Sequence, residues 1–378
     1  MKKALILTPS FLPVLNGMTY ATLGHARMLS NLGLEITIIS NDCPDQDAIN
    51  EFGLSNVSCI KFPISGSGLF WNPVRGPVVE ILNKINSINP DYIFVEGWYN
   101  WGIHLLTRLP KTYLKIVFSH GAADKDVYNL ASLVRWLGYF VHDRIYRKKI
   151  IKAVNGIILL SVYEDMKRFS DYRLAKQFSI PNIIIPNINV EEVFTKKLQY
   201  LTKTTKGFNI AVIGEMSPNK NQSYIIDRFD KLETSINIHF FYPRDNAYAQ
   251  RVKKKCRLFV ERITFHQGLD RISINEFIRK NIDVILVLSR TEAQPIVIID
   301  GIFHEIPFVS TNVGCISTFK GGIVCLLDEI VSSLNIICRD NLLRSYYKMN
   351  TKADAEMLKF DLGDLDFFLN SFSSIDAI

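Results

Sequence analysis

Short runs of apolar residues alternate along this chain with longer stretches whose apolar positions recur every third or fourth residue. Ala4–Thr8, Glu35–Ser40, Val57–Phe62, Asp91–Val95, Leu114–Ser119 and Gly156–Leu160 have strand length and β-forming side chains, and Tyr20–Leu32 and Val78–Ile88 carry the helical period between them. Most of the strand runs are apolar throughout rather than alternating, so both of their faces are covered. That pattern belongs to a parallel sheet between layers of helix.

The texture changes after Pro186–Asn187. Thr195–Gly207 is rich in Lys and Thr and reads as a linker. The alternation then restarts with strands at Asn209–Ile213, Ile236–Phe241, Ile263–His266, Asp283–Leu288 and Phe308–Ser310. Helices are expected over Gln222–Phe229, Ala247–Leu258, Ile274–Lys280 and Ile296–His304, with further helices toward the C-terminus. The expected fold is α/β, two Rossmann-like doubly wound domains in tandem, with a single large α/β domain as the alternative. The domains are expected at 1–194 and 207–355, leaving 356–378 as a C-terminal segment. Sheets of this kind bind ligands beyond the carboxyl ends of their strands, so the expected site is a cleft between facing domains.

Composition narrows the class. With 48% hydrophobic and 21% charged residues, the 378-residue chain has ample material for two cores. No apolar run reaches the ~20 residues needed to span a bilayer. Lys2 and Lys3 precede an apolar run, but it stops at Pro9 and reads as a first strand rather than a signal peptide, so the chain is expected to stay in the cytoplasm. The six cysteines form no CxxC pair and are expected as buried thiols, not zinc ligands.

Charge is concentrated. Between Arg144 and Lys176 nine bases face three acids (Glu164, Asp165 and Asp171), while the rest of the chain is nearly neutral against a net charge of +7. Such a block points to an anionic surface. Leu133–Val141 supplies aromatic and aliphatic residues just before the basic run Arg144–Lys152, a mixture suited to the interface of an anionic membrane; a buried helix with one solvated basic edge is the alternative. No nucleic-acid-binding motif accompanies the charge, so nucleic acid is not expected as a partner.

The residues with chemical potential lie after the strand Asp283–Leu288. Glu292 sits in the following loop, and Pro295 suits the first helical position. The N–H groups of Ile296 and Val297 then open a helix N-terminus, whose partial positive charge favours a phosphate. Asp300 adds a second carboxylate eight residues after Glu292. The pair has the acceptors to read a ribose and a sugar on either side of a diphosphate. Equally, Glu292 is the acidic first turn of a helix and Asp300 an incidental polar residue. Pro307–Gly314 supplies a strand and a glycine turn expected beside the same cleft.

Thr291-Glu-Ala-Gln-Pro-Ile-Val-Ile-Ile-Asp300 and Ile306-Pro-Phe-Val-Ser-Thr-Asn-Val-Gly314 resemble the signature of glycosyltransferase family 4. The resemblance implies a GT-B fold and a retaining transferase that draws on a nucleotide-diphosphate sugar, with no essential metal and no further cofactor. It places Glu292 on the donor sugar and Asp300, one methylene shorter than the family's Glu, on the nucleotide ribose. Ile213-Gly214-Glu-Met-Ser-Pro-Asn-Lys220 resembles the family's Gly-Arg-Leu-x-x-x-Lys loop. Gly214 and Lys220 then face the leaving diphosphate, while Glu215 replaces the arginine and cannot bind a pyrophosphate as arginine does.

The likeness is looser before residue 200. Thr8–Gly17 is similar to the family's glycine loop after the first strand, where Asn16 and Gly17 would meet the donor phosphate through an unobstructed backbone N–H; an ordinary Asn-Gly turn is the alternative. No GxGxxG follows that strand, against a dinucleotide oxidoreductase. Val117-Phe-Ser-His120-Gly121 resembles the His-Gly that ends the family's central strand, giving His120 a role at the donor sugar or the acceptor. Pro186-Asn187, with Phe194 beyond, matches the turn before the interdomain linker. Family members often cross back onto the first domain at the C-terminus, and Phe360–Phe372 is placed to do so. The expected partners are a nucleotide sugar and a glycan or lipid-linked acceptor in surface polysaccharide assembly. A non-catalytic GT-B scaffold, suggested by Glu215 and Asp300, and a GT-B sugar-nucleotide epimerase are the competing functions.

Overall fold

The computed structural model describes residues 1–14, 16–69, 71–121, 130–162, 166–187 and 205–372. The expected linker as far as position 204, the turn residue Phe194, and the acids Glu164 and Asp165 lie outside these described residues. The chain divides into two compact units, Met1–Thr195 with Phe360–Ile378, and Lys196–Lys359.

The first unit runs β1 (Lys3–Thr8), α1 (Gly17–Asn31), β2 (Glu35–Ser40), α2 (Gln46–Glu51), β3 (Val57–Lys61), α3 (Val78–Ile88) and β4 (Tyr92–Glu96). It continues with α4 (Trp101–Leu106), β5 (Leu114–Phe118), α5 (Leu130–Ala153), β6 (Gly156–Leu159), α6 (Ser170–Gln177) and β7 (Asn182–Ile184). The second has β8 (Phe208–Ile213), α7 (Ser223–Ile226), β9 (Ile236–Tyr242), α8 (Ala247–Lys255), β10 (Ile263–Gln267), α9 (Arg271–Asn281) and β11 (Val284–Val287). Then follow α10 (Ile296–Phe303), β12 (Phe308–Thr311), β13 (Gly322–Cys325), α11 (Ile330–Arg339) and α12 (Asn341–Met357); α13 (Leu362–Ser371) belongs to the first unit.

The two sheets are ordered β3-β2-β1-β4-β5-β6-β7 and β10-β9-β8-β11-β12-β13, and every strand pair is parallel. The order reverses between β1 and β4 in the first and between β8 and β11 in the second. These are the two points where loops diverge to opposite faces and leave room for a ligand.

The local chemistry explains the elements. β1 buries every residue after Lys3, and β4 buries all five, because helices cover both faces of the sheet. Asn16, Asn100, Asn246, Asp270 and Asp340 each accept a backbone N–H at the start of a helix, satisfying a donor the helix leaves open. Asp270 starts α9 three residues earlier than the apolar period predicts. The helix expected over Gln222–Phe229 is a single turn, Ser223–Ile226, then a 3₁₀ turn at Phe229–Lys231. Strands β7 and β13 are sheet edges of three and four residues with little burial, too short and too exposed to announce themselves.

α13 completes the first core. Leu365, Phe368, Leu369 and Phe372 join Ile6, Phe94 and Phe118 in one buried cluster. Gly156 admits them: a Cβ there would lie 2.9 Å from the ring ends of both Phe368 and Phe372. Cys256 and Cys315 are buried thiols, but the other four cysteines are only half-buried, so the expectation of buried thiols holds for two. Among the described residues no helix is long and apolar enough to cross a membrane.

Candidate active site

In the second unit, the two loops that leave the switch-point strands are tied to each other. The Arg290 N–H donates to the Asn219 carbonyl at 2.8 Å, the Asn219 amide to the Thr291 carbonyl at 3.1 Å, and the Arg290 Nε to the Pro218 carbonyl at 3.2 Å. Within the first loop, Gln222 donates to the Glu215 carbonyl at 2.9 Å, and Asn246 to that of Met216 at 2.8 Å. This bracing brings Lys220 Nζ into an ion pair with Glu292 Oε1, the two side chains 27% and 17% exposed. Both side chains are mostly covered, with an edge of each left in water. Gly214 turns the chain at φ +134°, with its missing Cβ 3.4 Å from Lys220 Cε.

Gly314 has the tightest fit in the site. It sits at φ +54°, and a Cβ would fall 1.7 Å from the Ala293 carbonyl oxygen and 2.8 Å from that of Glu292. Only glycine lets this turn close over the loop that carries Glu292, a closure sealed by Cys315 N–H to the Ala293 carbonyl at 3.1 Å. Pro295 is not the first helical residue. It has ψ 112° and occupies the cap, its carbonyl accepting from Ile298 N–H at 3.0 Å, so α10 opens at Ile296 and Val297 with no side-chain acceptor from the cap. Asp300 is buried on α10 and paired with Arg271 at the start of α9. No pattern in the sequence points to Arg271, because its partner lies twenty-nine residues away on another helix. Glu215 is exposed.

In the first unit, Asn16 caps α1: its oxygen accepts Thr19 N–H at 2.9 Å and its amide donates to Ser10 Oγ at the same distance. Gly17 is the first helical residue and is exposed. His120, just past the end of β5, belongs to a cluster that the sequence motifs do not reveal. Its Nε2 lies 2.7 Å from Glu96 Oε2, and His25 Nδ1 lies 2.9 Å from Glu96 Oε1. Glu96 is fully buried at the end of β4. Burial pushes its carboxyl up, but the electrostatic pull of His25 and the hydrogen bonds from His120 and His25 outweigh it and hold it at about 2. His25 is 2% exposed and stacked on Phe118 at 3.8 Å. The signal for Glu96 is an acid closing an otherwise apolar strand; His25 lies inside α1 among apolar neighbours and gives none.

An ionised carboxylate only accepts hydrogen bonds, so the nitrogens facing Glu96 both carry protons. In neutral His120 this fixes the Nε2–H tautomer and leaves Nδ1 as an acceptor on a side chain 19% exposed. The three ligand atoms lie within 4.8 Å of one another. The separations of 2.7 and 2.9 Å to Glu96 are those of hydrogen bonds, shorter than the ~3.3 Å that ligands adopt around a tetrahedral zinc with bonds near 2.0 Å.

Residues 207–332 match the family model described as glycosyl transferases group 1. No curated protein sequence matches the chain. Among solved structures, Anabaena HepE in complex with UDP-glucose aligns at a TM-score of 0.71 and 13% identity, over 99% of this chain and all of that one. A point mutant of S. aureus TarM, in complex with fondaparinux, alpha-GlcNAc-glycerol and UDP, aligns at 0.70 and 10%, over 98% and 99%. WaaG, a glycosyltransferase involved in lipopolysaccharide biosynthesis, aligns at 0.64 and 15%, over 95% and 96%. The fold is GT-B, with two Rossmann-like domains. The group 1 match and this fold together support a glycosyltransferase.

Proposed function

We propose that the protein is a retaining transferase of family 4 that moves a sugar from a nucleotide-diphosphate sugar to a hydroxyl of a lipid-linked glycan. The observation that carries this reading is the Lys220–Glu292 pair, held by cross-braced loops at the β8–β11 switch point of a group 1 domain. It sets a cation for a diphosphate beside a carboxylate for sugar hydroxyls. HepE bound to UDP-glucose, and WaaG with its part in lipopolysaccharide biosynthesis, support the donor and acceptor classes.

Lys220 and the N–H groups of Ile296 and Val297 stabilise the charge that develops on the leaving diphosphate. No metal or cofactor enters this scheme. Glu215 withdraws one cation from the family's arrangement, leaving Lys220 and the helix terminus to serve alone. Glu292 holds the sugar. Asp300 reaches the ribose, and its pairing with Arg271 fixes the carboxylate in direction. In the first unit His120, oriented by Glu96, accepts a hydrogen bond from a substrate hydroxyl at Nδ1, and Asn16 and Gly17 open α1 toward the donor phosphate. The exposed apolar and basic side chains of α5 make the enzyme peripheral to an anionic membrane.

A thermal-shift panel of nucleotide-diphosphate sugars tests the assignment. One donor at a hundred times its Kd adds about 2.7 kcal/mol to the folded state. That gain disappears in Lys220→Ala and Glu292→Ala. A wild-type protein that responds to no donor is a scaffold and not a transferase.

A further inference from the structure

Helix α5 leaves an apolar stripe uncovered. Leu130, Val134, Leu137, Val141 and Ile145 succeed one another at intervals of three or four residues and are 36–76% exposed. Its other side packs inward through Gly138, His142 and Ile150. Beside the stripe, α5 and α6 enclose a cavity of about 350 Å³. Trp136 and Phe140 form its apolar wall, and Arg144, Arg147 and Arg173 supply its positive charge.

The charges in this cavity are arranged for an anion. Arg144 lies over the Phe140 ring and Arg147 over Phe178, each 5.9 Å from the centroid. Among the described residues neither pairs with a carboxylate. Arg173 is fixed by donating from Nη1 to the carbonyls of Arg168 at 2.6 Å and Lys167 at 3.3 Å. Among the described residues the one acid in the wall, Asp143, is occupied: it accepts from Tyr99 OH at 3.1 Å and faces His142 Nδ1 at 3.2 Å. Guanidinium forks match phosphate oxygens two at a time, which a solvated lysine does not.

We infer that this cavity is a binding site for the phosphate of a membrane-embedded lipid, with the α5 stripe lying in the acyl layer beside it. Two observations fix the source of the phosphate. The cavity adjoins an exposed apolar stripe, which a soluble phosphate would leave bare. Its wall also offers aromatic surface where a lipid headgroup meets its chains. The inference extends the membrane reading given above, since it replaces a diffuse basic face with one built site.

Vesicle cosedimentation separates the two. The probes are phosphatidylcholine vesicles with and without phosphatidylglycerol, applied to the wild type, an Arg144→Gln/Arg147→Gln variant and a Lys148→Gln/Lys149→Gln variant, each shown by circular dichroism to be folded. Both variants remove two charges from α5, but only the first touches the cavity. The wild type is expected on the anionic vesicles alone. The lysine variant should bind up to about thirtyfold more weakly than wild type, the loss of two charges near an anionic surface, and the arginine variant at least about tenfold more weakly than that. An Arg144→Lys/Arg147→Lys variant, which keeps the charge, should recover little of that further loss.

Equal losses in the arginine and lysine variants overturn the site in favour of diffuse charge. Absent binding by the wild type overturns it outright, and release by millimolar inorganic phosphate at constant ionic strength overturns the lipid as its source. Donor-induced thermal shifts, measured on each variant, are expected unchanged. Their loss from the wild type would indict the transferase reading instead, leaving the vesicle result to stand alone.

Discussion

Glu96→Gln is the most informative single change, because it alters one atom in the middle of the His25–Glu96–His120 cluster. The native carboxyl titrates at about 2 against an ordinary 4.5, so its ionised form is worth on the order of 3 kcal/mol to the folded state. The folded value is the lower one. The stabilisation is therefore complete above pH 4.5 and fades as the pH falls from 4.5 toward 2. Glutamine keeps the shape and offers one oxygen, but its NH₂ confronts an imidazole N–H on the other side. One histidine must then exchange its tautomer, and His120, the more exposed of the two, is the freer to do so. Its Nδ1 would gain the proton and lose its acceptor role.

Urea unfolding is expected to show Glu96→Gln about 2–3 kcal/mol less stable at pH 7, with the gap to wild type shrinking below pH 4.5. Imidazole ¹⁵N chemical shifts should report a changed tautomer at one histidine. Turnover should fall by about a hundredfold, with donor KM little altered, because general acid–base and orienting groups commonly supply factors of that size. If the variant keeps the wild-type imidazole pattern and its urea gap is the same at pH 7 and pH 3.5, the orienting role of Glu96 is wrong. A merely structural Glu96 would lower stability without moving the tautomer.

Other changes test other links. Lys220→Ala and Glu292→Ala should each abolish the donor-induced thermal shift while changing the unfolding free energy by no more than about 1–2 kcal/mol, since each side chain keeps an edge in water and the pair is a single contact. Gly314→Ala should cost about 3 kcal/mol or more in chemical denaturation, from a left-handed backbone and a Cβ driven into the Ala293 carbonyl; wild-type stability would mean the turn is free to move. Phe368→Ala, emptying a ring from the first core, should cost about 3–5 kcal/mol. Chelation by EDTA should leave turnover intact, and restoration of lost activity by added zinc would refute the hydrogen-bonded reading of the histidine cluster.

The sheets are largely readable because parallel strands are buried on both faces and advertise themselves as apolar runs; Ala4–Thr8 and Phe308–Ser310 lie within the observed strands. Edge strands lack that pressure, which is why Asn182–Ile184 and Gly322–Cys325 escape the apolar pattern. Within the site, Glu292 and Lys220 are legible through loop position and family likeness, and the structure adds that they pair. Arg271 and His25 are hidden for one reason: each acquires its meaning from a residue brought close by the fold, on a different element and far away in sequence. Capping is half visible. Asn16 reads as a phosphate contact through its loop, and the structure adds that its carboxamide oxygen caps α1.

The return of α13 to the first core has a consequence for biosynthesis. The aromatic residues that fill the space over Gly156 are encoded after the whole of the second unit. As the chain is made, the earlier sheet therefore waits with part of its interior uncovered until some of the last residues emerge. The second unit is one continuous span, Lys196–Lys359. It should be the first to reach its native state on the ribosome, although it is translated second, and the first unit should depend longer on chaperones.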